Sequence, residues 1–109
     1  MNVTELLNAT NWQTVNAGEP KREVTGCYCG DLLSWVMARS GAGDCWLTIM
    51  SNVNVAAVAQ LNELSAVVLC EGVQPDEALL GAARSRGINL FRCEVSVFEA
   101  ACLLGELLK

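Results

Sequence analysis

The chain has 109 residues, 52% of them apolar and 17% charged, with a formal net charge of -5. That length and apolar content fill one hydrophobic core, so residues 1–109 are read as a single domain. The acidic balance offers no basic field to a nucleic acid backbone, and no apolar run reaches the roughly 20 residues that cross a bilayer, so neither nucleic acid nor membrane is an expected partner.

In chain order, a short helix is expected near Val3 to Ala9 and a strand at Trp12 to Val15. The Asn16-Ala17-Gly18-Glu19-Pro20 stretch has turn composition. A strand at Glu23 to Tyr28 leads through Gly30 into a helix from Asp31 to Ser40. From residue 42 the sequence alternates a short apolar run, a turn signal and a segment with helical spacing, the pattern of βα units feeding a largely parallel sheet. Asp44 to Met50 reads as a strand, and Val53 to Leu64 as a helix that Asn52 caps. Ser65 to Cys70 is a β-branched run suited to a strand buried on both faces. Glu71-Gly72 then turns into a helix over Asp76 to Arg86, which Gly87 closes. Ile88 to Cys93 is a further strand, and Ser96 with Glu99 forms an S-x-x-E box opening a last helix to Leu108. The expected architecture is a three-layer α/β domain with a largely parallel sheet of four or five strands and an irregular edge in the first forty residues.

The start MNVTELLNATNW lacks the basic end and apolar middle of a secretion signal, and the expected location is cytoplasmic. The six cysteines (Cys27, Cys29, Cys45, Cys70, Cys93 and Cys102) sit in apolar segments of a chain that has its own core, so they read as reduced thiols. Cys27 and Cys29, two apart on a strand, face the same way, and Cys70 and Cys93 end neighbouring strands, so four thiols can gather at one rim. Their spacing lacks C-x-x-C, and the expectation is small apolar filler with no metal and no cofactor. The alternative is a redox-sensing thiol.

There is no histidine, which removes imidazole acid/base catalysis and His-ligated metals. Gly41-Ala42-Gly43-Asp44 supplies neither the second glycine nor the lysine of a P-loop, and no G-x-G-x-x-G occurs. Asp76 and Glu77, after Pro75, offset a helix dipole. Trp12, Trp35 and Trp46 are too scattered to form a stacking platform for bases. In an open α/β sheet, ligands sit at the carboxyl ends of strands, so the informative residues follow each apolar run: Gly30 and Asp31, Ser51, Asn52 and Asn54, Glu71 and Gly72, and Arg92. Gly30 and Gly72 let backbone approach a ligand, Ser51-Asn52 opens a helix whose free N–H groups favour an anion, and Arg92 offers a bidentate partner for phosphate or carboxylate. The competing account of the same residues is turn and cap chemistry alone, with Arg92 paired to a neighbouring acid.

Several stretches resemble the DRTGG regulatory modules, which are similar to the amino-terminal domain of bacterial HPr kinase/phosphorylase. In KREVTGCYCGD, Arg22, Gly26, Gly30 and Asp31 fit the pattern, while Lys21 stands where Asp is usual. SNVNVAAVAQL, VVLCEGVQPDEALLGAARSRGINLFRC and the closing S-x-x-E helix follow in the expected order. The resemblance spans the chain and implies a regulatory attachment; the kinase chemistry of the HPr enzyme lies in a separate P-loop domain. The expected function is therefore regulatory: binding a small anionic ligand, a nucleotide or phosphorylated metabolite, or a protein partner, and signalling by conformation or oligomerisation. The alternatives are a thiol-based redox enzyme or sensor at Cys27, Cys29, Cys70 or Cys93, and a structural dimerisation module. The final helix carries an apolar stripe (Val97, Phe98, Ala101, Cys102, Leu104, Leu107, Leu108) wider than one sheet face requires, so a homodimer through it or through the helix around Leu32 to Met37 is expected.

Overall fold

In the computed structural model, which describes residues 1–109, five strands and five helices alternate along the chain: α1 (Val3–Asn8), β1 (Gln13–Asn16), β2 (Gly26–Cys29), α2 (Leu33–Arg39), β3 (Asp44–Thr48), α3 (Asn54–Leu61), β4 (Ala66–Leu69), α4 (Glu77–Arg86), β5 (Leu90–Arg92) and α5 (Val97–Leu107). The strand order is β1-β5-β4-β3-β2. β2, β3, β4 and β5 run parallel, and β1 pairs antiparallel to β5 with a register shift between Thr14 and Asn16, so the irregular edge lies where expected.

The sheet separates two halves of the core. On one face Trp46, Val67, Leu69 and Leu90 pack with Val36 of α2, Val55 and Ala59 of α3, and Leu79 and Ala83 of α4. On the other, Cys45, Leu47, Val68 and Phe91 pack with Val3 and Leu6 of α1 and Ala100 and Leu104 of α5. Alternation along each strand sends neighbouring side chains to opposite faces, and all four residues of β4 are buried, as a strand covered by helices on both sides must be. The architecture is thus the three-layer α/β domain with a mostly parallel sheet that the alternating pattern predicts.

Several elements are shorter than the sequence suggests, for identifiable reasons. β3 stops at Thr48 because side chains take over the next donors: the Asp31 carboxylate accepts from the Ile49 N–H (3.0 Å), and the Thr48 hydroxyl oxygen accepts from the Met50 N–H (3.1 Å). β2 begins only at Gly26, since Glu23 forms an isolated antiparallel bridge with Asn2 and the Val24 N–H donates to the Met1 carbonyl. α3 ends at Leu61 in a Schellman turn: Glu63 takes a left-handed φ of 55°, and the Leu64 N–H reaches back to the Ala59 carbonyl (2.9 Å). A glutamate in the position usually given to glycine hides that stop. Gly87, at φ 67°, closes α4 as its sequence position suggests.

Candidate functional site

Each of the three parallel crossovers, β2 to β3, β3 to β4 and β4 to β5, passes through a helix on the same face of the sheet, namely α2, α3 and α4. After β5 the chain instead turns to α5 on the opposite face. Adjacent carboxyl-end loops therefore diverge at one place, between β4 and β5, and this is where an open α/β sheet forms a crevice. Among the expected rim residues, Glu71, Gly72 and Arg92 border it. Gly30, Asp31, Ser51, Asn52 and Asn54 lie along the rest of the rim on the β2 and β3 loops.

The crevice is closed by hydrogen bonds. The Glu71 N–H donates to the Val95 carbonyl (2.8 Å) and the Gly72 N–H to the Cys93 carbonyl (2.9 Å). Glu71 and Gly72 both adopt left-handed backbone, with φ of 59° and 73°, to aim those N–H groups across the gap. A side chain at Gly72 would drive into the Glu94 carboxylate, its Cβ only 2.6 Å from Oε2. Arg92 stitches the same loops: Nη2 donates to the Gly72 carbonyl (3.0 Å) and to Glu94 Oε1 (3.1 Å), Nε to the Val73 carbonyl (3.4 Å), and Nη1 to Gln13 Oε1 (2.5 Å). The Arg92 side chain is 12% exposed, whereas Glu94 is 78% exposed. Beside this guanidinium lies a shallow cavity of about 150 Å³ lined by Asn11, Gln13, Arg92, Cys93, Glu94 and Val95. Asn11 and Gln13 come from the segment before and within β1, which sequence reasoning did not connect to the rim because their approach to Arg92 depends on the antiparallel edge pairing.

The other rim residues are engaged in joining loops. Asp31 Oδ1 accepts from the buried Thr48 hydroxyl (2.7 Å) as well as from Ile49, tying the end of β2 to the end of β3. The Gly30 carbonyl accepts from Trp46 Nε1 (2.8 Å). Ser51 and Asp76 bond reciprocally: the Asp76 N–H donates to the Ser51 carbonyl (3.0 Å), and the Ser51 hydroxyl to Asp76 Oδ1 (3.4 Å). Asn52 caps the start of α3: Val53 already has helical backbone, and Asn52 Oδ1 accepts from the Asn54 N–H (2.9 Å). Asn54 itself is exposed at the first position of α3.

Cys27, Cys29, Cys45, Cys70 and Cys93 neighbour one another on one face of the sheet, but no three His, Cys, Asp or Glu side chains come close enough to hold a metal ion. Cys70 and Cys93 are buried where β4 and β5 end. Burial and the neighbouring Cys93 push the Cys70 thiol up to about 12, and burial also raises Cys93. Burial likewise holds Cys45 well above its ordinary value. Cys27 and Cys29 are exposed on the outer strand, with their sulfurs 3.8 Å apart.

A second, larger concavity of about 490 Å³ opens at the other end of the strands, lined by Glu19, Arg22, Gln60, Glu63, Arg86, Gly87 and Ile88. It is more open than the crevice and has two guanidiniums facing two carboxylates. Arg22, one of the residues carrying the family resemblance, spends Nη1 on the Leu64 carbonyl (2.7 Å).

No family model matches the chain, and no curated protein matches it by sequence. Among solved structures, the fold is similar to that of the CBS and DRTGG domains of the regulatory region of Clostridium perfringens pyrophosphatase, a structure complexed with the activator diadenosine tetraphosphate. The match has a TM-score of 0.73 at 14% identity, and covers 94% of this chain and 45% of that one. The chain therefore spans a little under half of that solved regulatory chain, and what the two share is architecture. The fold is DRTGG-like, as the arrangement of motifs along the sequence implies.

Proposed function

We propose that the chain is a regulatory module that binds a small anionic ligand, a nucleotide or phosphorylated metabolite, at the cavity beside Arg92, where β1 meets the end of β5 next to the hydrogen-bonded crevice between β4 and β5. The observation that carries this reading is the position of Arg92: a little-exposed guanidinium at the point where the carboxyl-end loops diverge, balanced by one highly exposed carboxylate, Glu94. An incoming phosphate competes with Glu94 for Nη2 on favourable terms, because phosphate and guanidinium match in geometry and the Glu94 side chain is free to swing into water. The cavity of about 150 Å³ has room for one such group and leaves the remainder of a nucleotide on the surface. The activator bound by the Clostridium perfringens regulatory region is of this chemical class.

Binding also offers a route to signalling. Arg92 holds the Gly72 and Val73 carbonyls, so re-aiming its guanidinium disturbs the loop that leads into α4. Binding, and not catalysis, suits the site: the thiols nearest it, Cys70 and Cys93, are kept protonated by burial and are poor nucleophiles. A thermal-shift screen of inorganic phosphate, pyrophosphate, mononucleotides and dinucleoside polyphosphates tests the reading. A ligand at a hundred times its dissociation constant stabilises a fold by about 2.7 kcal/mol. At least one of these anions is expected to raise the melting temperature by several degrees, and a flat response across the panel contradicts the proposal.

Association with a second copy is a further part of the proposal, supported by exposed apolar side chains on two helices. On α2 and its entry, Leu32 is 62% and Trp35 52% exposed, and on α5 Phe98 is 75% exposed. α5 turns Ala100 and Leu104 into the core, so of its stripe Phe98 and Cys102 face outward, joined by Leu103, which lies outside that stripe.

A further inference from the structure

We infer that Cys27 and Cys29 form a two-thiol modification site, oxidised by hydroperoxides to an intrastrand disulfide on the open edge of the sheet. The two residues belong to β2, the last strand in the order, which pairs with β3 on one side only. Tyr28 between them packs into the core on the α2–α4 side, so both cysteines project from the opposite face of the strand. Both are exposed and their sulfurs are in contact at 3.8 Å. Residues two apart on a strand have Cα atoms roughly 6.6 Å apart, within the range of about 4.4–6.8 Å that disulfides span, so closure needs a local contraction and no exchange of partners. An edge strand tolerates that contraction because only one ladder is strained.

The pair also divides the chemical labour. The two sulfurs share one hydrogen bond, and with Cys27 as its donor it lowers the Cys29 pKa to about 7 against the opposing effects of partial burial and of Asp31. Cys27, the donor, is raised far above its ordinary value by the same hydrogen bond, by burial and by the nearby Cys29, Cys45 and Asp44. Cys29 thus supplies the thiolate, and its oxidation removes the hydrogen bond and charge that hold Cys27 protonated, so Cys27 then serves as the resolving thiol. The Cys29 thiolate attacks one peroxide oxygen; the O–O bond breaks, and the leaving oxygen takes a proton to depart as an alcohol or water. The resulting sulfenic acid is then attacked by Cys27, which gives up its proton as the S–S bond forms and the sulfenic oxygen leaves as a second water. Two thiols lose two electrons and the peroxide gains them.

The three other cysteines on this face, Cys45, Cys70 and Cys93, are buried and held protonated, so they do not compete. Cys102, exposed on α5, serves as an internal control. The site is independent of ligand binding at the cavity beside Arg92, although β2 leads directly into Gly30 and Asp31 on the rim, so contraction there alters the loop that Asp31 ties to β3.

The experiment treats the full reduced chain with increasing equivalents of hydrogen peroxide at pH 6, 7 and 8, alkylates the remaining thiols and cleaves after arginine. Arg22 and Arg39 bracket one peptide containing both cysteines. The expected result is conversion of that peptide to a form two hydrogens lighter and closed to alkylation, before Cys102 reacts, faster as pH rises through about 7, and reversed by dithiothreitol. Cys29→Ser abolishes the reaction, whereas Cys27→Ser leaves a sulfenic acid at Cys29 that dimedone traps. The inference is overturned if both thiols stay alkylatable while Cys102 is oxidised, if Cys27 or Cys29 bonds to a cysteine from another peptide, or if Cys29→Ser oxidises at the wild-type rate.

Discussion

Asn89 is nearly fully buried and uses its whole amide. Its Nδ2 donates to the Glu19 carbonyl (2.8 Å) and the Ser65 carbonyl (2.9 Å), and its Oδ1 accepts from the Gly18 N–H (2.8 Å). One side chain therefore pins the loop between β1 and β2 against the starts of β4 and β5. Gly18 permits this approach: a Cβ there would collide with the Gly87 carbonyl and sit 2.9 Å from the Asn89 backbone nitrogen. Asn89→Ala takes the side-chain partner from the Ser65 carbonyl and the Gly18 N–H, while the Glu19 carbonyl keeps the Arg22 N–H (3.3 Å), and buried groups left unpaired cost about 1–3 kcal/mol each. Some of them regain water in the mutant, so the expected net loss is about 2–4 kcal/mol, read as a lower urea midpoint with an unchanged slope. An unchanged midpoint would remove Asn89 from this role. At this scale the sequence was legible only in part. Gly18 is visible as a turn residue, but its partner lies 71 residues away and nothing local announces it. Asn52 was legible as a cap: Val53 already lies in helical backbone, and the Asn52 oxygen accepts from the Asn54 N–H two residues on. Arg92 was legible as a cation at a strand end, while Gln13 opposite it was not, because only the antiparallel return of β1 brings the two together.

At the scale of elements, alternating apolar runs and helical spacing located every strand and helix, and the errors fell at their ends. At β2 and β3, side chains or N-terminal backbone satisfy donors that an isolated segment would give to the ladder, as Asp31 does at Ile49, and at α3 the left-handed Glu63 ends the helix. Helix starts show the effect clearly. Asn2 accepts from the Glu5 N–H (2.9 Å) while Glu5 Oε1 accepts from the Asn2 N–H (2.8 Å), a complete capping box that reads N-x-x-E and was passed over. The S-x-x-E of α5 was recognised, and there Ser96 accepts from the Glu99 N–H (3.1 Å), with the Glu99 carboxylate held by the Ser96 hydroxyl and not by its backbone. Removing a cap of either kind costs about 1 kcal/mol. Asn2→Ala and Ser96→Ala are each expected to lower stability by that amount, with Ser96→Ala the larger because its hydroxyl makes both of the bonds to Glu99, whereas Asn2→Ala keeps the backbone N–H that donates to Glu5. Equal stability for the two variants and the wild type, by denaturant titration, would contradict the assignment.

For the molecule as a whole, the apolar excess legible in the composition leaves Ile49, Val53 and Leu61 exposed around α3 and two further groups on α2 and α5. One is Leu32, Trp35 and Met37; the other is Phe98 with Leu103. A stable two-fold contact buries about 1,200–2,000 Å², more than either patch supplies without its polar surroundings. A homodimer is expected by sedimentation at micromolar concentration, and Phe98→Glu or Trp35→Glu is expected to dissociate it, according to which helix forms the contact. A single species at monomer mass for the wild-type chain would refute the dimer. The central claim concerns Arg92, and its most direct test is calorimetric or thermal-shift binding of pyrophosphate to the wild type, Glu94→Gln and Arg92→Ala. Glu94 is exposed and holds Arg92 only from the solvent side, so Glu94→Gln leaves the fold intact and frees Nη2 for the ligand. The account predicts that pyrophosphate binds the wild type, binds Glu94→Gln at least several-fold more tightly, and does not bind Arg92→Ala. Binding that is unchanged by Glu94→Gln and survives Arg92→Ala, or no binding to any of the three, would contradict it.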